Sequence, residues 1–161
     1  MADDRAQGGV HGKPNPPPVI GYHVPYAEGL VAQWLRDNMV ENDIGQRVYS
    51  SLPHDPVWPL IMIKQIGGSG IRSYWINLPM IQVEAWGNNK TEAWKVIEEA
   101  RRAVYRMTGQ LFLATDGYPD DGVITDVNDI MDVTWLPDSV TNRDRYIWTC
   151  QLATHPVVPI P

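Results

Sequence analysis

Proline is concentrated at the two ends of this chain. Of its 14 prolines, five lie in residues 1–25 and three more in the last seven of the 161 residues. Proline has no backbone N–H to donate, so proline-rich segments favour extended polyproline conformations over helices and sheets. We therefore predict that residues 1–25 and 155–161 are extended arms around a single domain spanning residues 26–154. A domain of that length can bury one hydrophobic core.

Two segments of this domain have the apolar spacing of a helix. In residues 26–40 the stripe consists of Leu30, Val31, Trp34, Leu35 and Met39. In the second segment, Asn89 stands three residues before Glu92, as in a capping box. One apolar face follows, made of Ala93, Ile97, Ala100, Val104 and Met107. Gly109 supplies the stop signal, so this segment is the stronger helix prediction.

The remaining segments of the domain read as strands. We predict a short strand near residues 47–51, a strand buried on both faces at 60–63, and an alternating strand at 80–86. Two more are predicted at 123–136 and 145–153. The order is then α-β-β-β-α-β-β. This pattern predicts an α+β fold in which a single mixed or antiparallel sheet packs against two helices.

Residue types that commonly carry catalysis are sparse and scattered. The four histidines (His11, His23, His54 and His155) show no metal-ligand spacing, and Cys150 is the one cysteine. Cys150 falls within a predicted strand, where a cysteine is usually a small core residue. A Cys–His nucleophile stays open, because such partners meet in space rather than in sequence. We expect no enzymatic activity, no cofactor and no bound metal.

Acidic residues are concentrated between residues 116 and 144. This band has eight acids and one base, a net charge of −7, whereas the whole chain carries −6 and the remainder therefore +1. The candidate surface acids are Asp116, Asp120, Asp121, Asp126, Asp129 and Asp132. A divalent-metal site at Asp126, Asp129 and Asp132 is the more specific alternative. In a strand, however, a spacing of three places successive side chains on opposite faces. We expect an exposed acidic surface, which would repel DNA phosphates rather than bind them.

Two further features are candidate interaction sites. Gly67, Gly68, Ser69 and Gly70 lack the lysine of a phosphate-binding loop, and we predict a flexible hairpin tip there. The chain has seven tryptophans and one phenylalanine, and tryptophan suits surfaces that become half-buried on association. Trp86 is the candidate interface aromatic, since alternation places it on the Gln82 and Glu84 face, opposite the apolar row of its strand.

The arrangement of motifs resembles a known family. The matching segments are Ala32–Arg36, Arg47–Pro53, Ile63–Gly68, Met80–Gly87 and Thr91–Val104. Together they resemble the tail terminator (tail completion, head–tail connector) proteins of long, non-contractile-tailed bacteriophages, especially those of actinobacterial hosts. The resemblance covers residues 26–154 and consists of patterns of strand and helix without a catalytic signature. An N-terminal arm of 25 residues is longer than the family leads us to expect.

The resemblance implies a virion structural protein at the head–tail junction, present in the host cytoplasm during assembly. Its copies would form a ring, expected to be a hexamer, that caps the tail tube and stops tail polymerisation. The implied partners are the major tail tube protein, a head-side connector or stopper, and genomic DNA passing through the lumen. In this scheme the glycine segment is a docking loop and the acidic band faces the lumen. No membrane association is expected.

Three other functions stay open on the sequence. The chain could be a different neck protein, such as a head-side connector or stopper. It could be a cytoplasmic ligand-binding or regulatory domain, which would need an apolar pocket. The third is an enzyme that uses the aspartates as ligands for Mg²⁺ or Mn²⁺.

Overall fold

A computed structural model of the chain describes residues 23–73 and 76–157. The helices are α1 (Ala27–Asn38) and α2 (Lys90–Tyr105). The strands are β1 (Val48–Tyr49), β2 (Leu60–Ser73), β3 (Ile76–Gly87), β4 (Gln110–Phe112), β5 (Gly122–Trp135) and β6 (Asp144–His155). Short 3-10 helices lie at Glu41–Arg47 and Ala114–Asp116. The predicted arms lie almost entirely outside the described residues, so their extended form stays a prediction.

The six strands form one sheet in the order β1-β2-β3-β6-β5-β4. β1 runs parallel to β2, and all other neighbouring strands are antiparallel, so the sheet is mixed. Buried side chains of both helices form one core cluster with residues that alternate along β2, β3 and β6. The predicted α+β fold, a single sheet packed against two helices, is confirmed.

The two helices begin and end close to the predicted residues. In α2 the side chain of Asn89 accepts a hydrogen bond from the backbone N–H of Glu92 over 2.9 Å. The carboxylate of Glu92 in turn accepts from the backbone N–H of Asn88 over 2.6 Å, so the first turn is capped from both directions. The apolar face is fully buried, and Trp34 joins α1 to α2 by donating to the carbonyl of Ala103 over 2.7 Å.

The sheet has a second, smaller apolar cluster on the face away from the helices. It consists of Leu60, Met62 and Trp86, with Tyr49 and Trp58 packed against it. Because Ile61 and Ile63 belong to the main core, residues 60–63 are buried on both faces, as predicted. The sheet therefore has buried side chains on both of its faces around the start of β2.

The glycine segment is part of a strand, so the prediction of a hairpin tip at residues 67–70 is wrong. β2 continues through it, and Gly67, Gly68 and Ser69 pair with Met80, Pro79 and Leu78 of β3. Gly67 and Gly68 have φ values of 139° and 138°, which favour glycine, and the pairing register shifts between Gln65 and Gly67. The glycines thus allow an irregular backbone conformation within a strand of the long hairpin, and they do not form its turn.

Candidate assembly interface

The aspartates of the acidic band do not form one cluster. Asp120 holds the start of the domain, because its carboxylate accepts from the backbone N–H of Tyr26 over 2.7 Å and contacts His23 Nε2 at 2.7 Å. Asp121 accepts from the backbone N–H of Ala114 over 2.6 Å. Burial acts to raise the pKa of Asp120, but the hydrogen bonds from Tyr26 and His23 offset it and leave the pKa lowered. These two acids stabilise the connection between β4 and β5.

Asp129 and Asp132 lie on the same side of β5 and both bind Arg101 of α2. Arg101 Nη2 lies 2.8 Å from Asp129 Oδ2, and Nη1 lies 3.1 Å from Asp132 Oδ1. The expectation that a spacing of three separates them is wrong here, because the β5–β6 register shifts on both sides of Met131. Asp126 pairs with Ala153 and does lie on the opposite face from Asp129, which pairs with Cys150.

The carboxylate of Asp129 is the most heavily bonded group of the band. It accepts hydrogen bonds from the hydroxyl of Tyr105 and from Trp148 Nε1, the latter over 2.8 Å. Burial acts to raise the pKa of Asp129, but the Tyr105 and Trp148 hydrogen bonds and the Arg101 charge outweigh burial and lower the pKa. Asp129 is therefore a structural link between α2, β5 and β6 rather than a free surface charge.

Asp116, Asp121, Asp126, Asp129 and Asp132 are all exposed, and of these Asp116, Asp126 and Asp132 are the ones that do not bond the backbone of another segment or a buried side chain. Two of these bond the backbone within β5, since Asp126 accepts from the N–H of Val127 and Asp132 from that of Val133. Within residues 23–73 and 76–157, no three His, Cys, Asp or Glu side chains are placed to hold a metal ion. The alternative of a metal-dependent enzyme gains no support from these aspartates.

Cys150 is part of the core on the helix-facing side of β6. Its side chain is fully buried, and burial, with a smaller contribution from Asp129, raises the pKa of the thiol to about 12. A nucleophilic cysteine requires a thiolate that a substrate can reach. The environment of Cys150 meets neither requirement.

Trp86 lies on the predicted face but is not an exposed aromatic. Only 3% of the residue is accessible, because it packs with Leu60 and Met62 and lies beside the ring of Trp58. The guanidinium of Arg145 lies 5.4 Å from its ring centroid. Within a single copy of the chain, Trp86 is thus covered by its own neighbours.

A buried carboxylate, Glu84, lies next to Trp86 on the same face of the sheet. Lys64 Nζ lies 3.3 Å from Glu84 Oε1, and Arg145 Nη1 lies 3.5 Å from Glu84 Oε2. Gln82 also donates to this carboxylate. A charge this deeply buried is stable only when it is paired, and here two cations and an amide surround it.

Two other tryptophans, Trp94 and Trp135, are exposed instead, and the sequence patterns did not single them out. They are 45% and 44% exposed, and both adjoin Tyr146. The rings of Trp94 and Tyr146 meet edge to face at 5.3 Å, while Trp135 is the β-ladder partner of Tyr146. Lys90 Nζ lies 4.1 Å from the ring centroid of Trp135. The sequence did contain one indication that Trp94 is exposed, since this residue lies outside the apolar stripe of α2.

Two depressions lie along the surface of α2. The depressions along it are lined mainly by charged side chains, namely those of Glu41, Glu92, Lys95, Glu98, Glu99 and Arg102. The alternative of a ligand-binding module thus finds no support in these two depressions.

Across the described ranges, none of the helices combines the length and the apolar character needed to cross a membrane.

Comparisons with known proteins connect this fold to a virus-like particle. Neither a protein-family model nor a curated protein matches the chain. Among solved structures, it is similar to a chain from the virion of a native gene transfer agent particle. That match has a TM-score of 0.51 at 12% identity and covers 80% of this chain and 93% of the other. At this identity the likeness shows a shared fold, and this fold therefore occurs in a virion protein.

Proposed function

We propose that this chain is a virion structural protein and, more specifically, a tail terminator. Its copies would form a ring, expected to be a hexamer, that caps the tail tube and joins it to the head-side connector. The observation that supports this most is the likeness to a virion chain, because it extends over 93% of that chain's length. The motifs of residues 26–154 that resemble tail terminators supply the narrower assignment.

The distribution of side chains is consistent with assembly rather than catalysis. The tryptophans at 94 and 135 are large apolar groups left half-exposed in a single copy, as at surfaces that become buried on association. Asp120, Asp121 and Asp129 hold parts of the fold together through hydrogen bonds and ion pairs, and Cys150 is enclosed in the core. These features suit a protein that works through its surfaces.

The exposed acids have a role in this proposal. Asp116, Asp126 and Asp132 are exposed members of the acidic band, and we place them on the lumen of the ring. Negative charge there would repel the phosphates of DNA and let the genome pass without sticking. Reversing all three to lysine is expected to slow DNA ejection from otherwise normal particles, and an unchanged ejection rate would contradict the placement.

The glycine segment at residues 67–70 is proposed to contact the tail tube or the connector. It lies in the distal half of the β2–β3 hairpin, next to Ile66, which is 47% exposed. Deleting residues 67–70 should change tail length or tail joining in a variant whose circular dichroism shows a folded domain, a control that is needed because residues 67–69 pair with β3. Tails of normal length on normally joined particles would show that the segment does not dock.

A gene deletion with complementation tests the function as a whole. Without the chain, electron microscopy should show filled heads without tails, together with unattached tails of abnormal length. Expression of the wild-type chain in trans should restore complete particles. Complete particles in the deletion strain would contradict the proposal. Attached tails of normal length on heads that lose their DNA would point to a head-side stopper instead.

A further inference from the structure

The outermost strands of the sheet, β1 and β4, are short, and each covers only part of the long strand beside it. On its outer side, β2 pairs with β1 at Ile61 and Met62. On its outer side, β5 pairs with β4 at residues 122–124. In the described part of the chain, no strand lies beside the rest of either edge, which covers residues 63–73 of β2 and 125–135 of β5. Unpaired strand edges of this length are templates for pairing with another chain.

The two edges have opposite charge. β5 contains three aspartates and no basic residue. β2 contains Lys64 and no acidic residue. Asp126 and Lys64 both lie on the face of the sheet away from the helices, so a β5 edge laid beside a β2 edge could place them on the same face. The complementarity of the two edges depends mainly on Asp126 and Lys64, because Asp129 and Asp132 already pair with Arg101 and Glu28 adds an acid at Gln65 of the β2 edge.

Each edge also exposes an apolar side chain along the stretch that no strand covers. Ile66 is 47% exposed on β2, and Ile130 is 50% exposed on β5. The edge backbone is not bare, since Glu28 accepts from the N–H of Gln65 over 2.7 Å and two aspartates cap N–H groups of β5. Carboxylate caps of this kind discourage indiscriminate pairing, and an incoming strand would have to replace them.

We infer that the β2 edge of one copy pairs with the β5 edge of the next copy. The partner is a second copy because one chain carries both complementary edges over stretches of similar length. Such a contact joins different surfaces of the two copies, so repeating it produces either a closed ring or an open filament. Only the closure of the copies into a ring rests on the proposed function. The pairing of the edges is argued from the uncovered stretches of β2 and β5.

Disulfide trapping tests the pairing directly on the full chain. The double variants Ile66→Cys with Ile130→Cys, and Ile66→Cys with Met131→Cys, sample two neighbouring registers. Under mild oxidation at high protein concentration, at least one should give a ladder of covalent multimers on non-reducing gels. A mixture of the corresponding single-cysteine proteins should give covalent dimers only. The native Cys150 is fully buried and should stay outside this chemistry.

The matched control places the second cysteine away from the edge. Ile66→Cys with Val140→Cys pairs the same β2 position with a strongly exposed residue of the β5–β6 connection, and it should give no ladder. Equal crosslinking in the control and the edge pairs, or none in either edge pair, would overturn the inference. As a second readout, the double variant Gln65→Cys with Ile130→Cys should lose its covalent multimers when Ile66→Pro is added, provided that the circular dichroism is unchanged.

The inference and the proposed function can fail separately. A ladder from a chain whose gene deletion leaves complete particles would uphold edge pairing and reject the tail terminator. Defective tails in the deletion strain, with no ladder from either edge pair, would uphold the function and reject this interface.

Discussion

Trp148 Nε1 donates a hydrogen bond to Asp129 Oδ1 over 2.8 Å, which joins β6 to β5 beneath α2. The same carboxylate accepts from the hydroxyl of Tyr105 and pairs with Arg101. One acidic residue of the band thus connects three elements of the fold. Its removal leaves an indole N–H and a phenol without this acceptor, while Arg101 keeps its contact with Asp132.

Replacing Asp129 should therefore destabilise the domain. We expect Asp129→Ala to lower the free energy of unfolding by about 1–3 kcal/mol, the usual cost of leaving partly buried hydrogen-bonding groups unpaired. The matched control is Asp126→Ala, whose carboxylate is exposed and which should cost about 0.5 kcal/mol or less. Urea denaturation followed by tryptophan fluorescence measures both. Equal losses would show that Asp129 is an ordinary surface charge.

The same carboxylate should make stability depend on acid. The pKa of Asp129 is lowered in the folded protein, so its stabilising contribution is fully present above the unfolded pKa of about 3.9. That contribution is lost as the pH falls through the lower, folded pKa. The difference in melting temperature between wild type and Asp129→Asn should thus shrink between pH 6 and pH 3. A difference that stays constant over this range would contradict the assignment.

Cys150 should be chemically silent in the folded chain. Because burial raises the pKa of its thiol to about 12, a thiol reagent such as DTNB should not react under native conditions at pH 8. One equivalent should react after unfolding in guanidinium. The single variant Ile66→Cys provides the control, since its added thiol lies at an exposed position and should react at once. Rapid labelling of native wild type would reopen the nucleophile hypothesis.

The two consecutive glycines of β2 should differ in their tolerance of a side chain. Both have a positive φ, so alanine is strained at either position. At Gly68 an added Cβ would also lie 2.4 Å from the carbonyl oxygen of Leu78, whereas nothing lies within 4 Å at Gly67. We expect Gly68→Ala to be the more destabilising, with a lower melting temperature than Gly67→Ala. The reverse order would indicate a different path for β2 through this segment.

Local sequence patterns predicted the elements that bury a regular stripe of side chains. Both helices, the strand pair around Ile63 and Val83, and the alternation along β6 all appear where periodicity indicated them. β4 was not predicted, because a strand of three residues is too short to show an alternation of apolar and polar side chains. Gly67 and Gly68 were misread because clustered glycine is typical of turns, whereas here it serves a register shift inside a strand.

The candidate surfaces were harder to predict because they depend on pairing register. Asp129 and Asp132 lie together only because the ladder between β5 and β6 shifts twice around Met131. Trp94 and Trp135 meet through Tyr146, a contact between three elements that no single segment encodes. Trp86 was placed on the correct face, but its cover by Trp58 comes from a loop whose path the sequence does not indicate.

The position of this chain in an assembled particle tests the central proposal most directly. Cryo-electron microscopy of virions produced with the wild-type chain should show a ring of copies between the last tail-tube ring and the head-side connector. The six-stranded sheet and α2 should fit the density of each copy. Density at that junction that cannot accommodate this fold, or a particle that lacks the chain altogether, would contradict the assignment as a tail terminator.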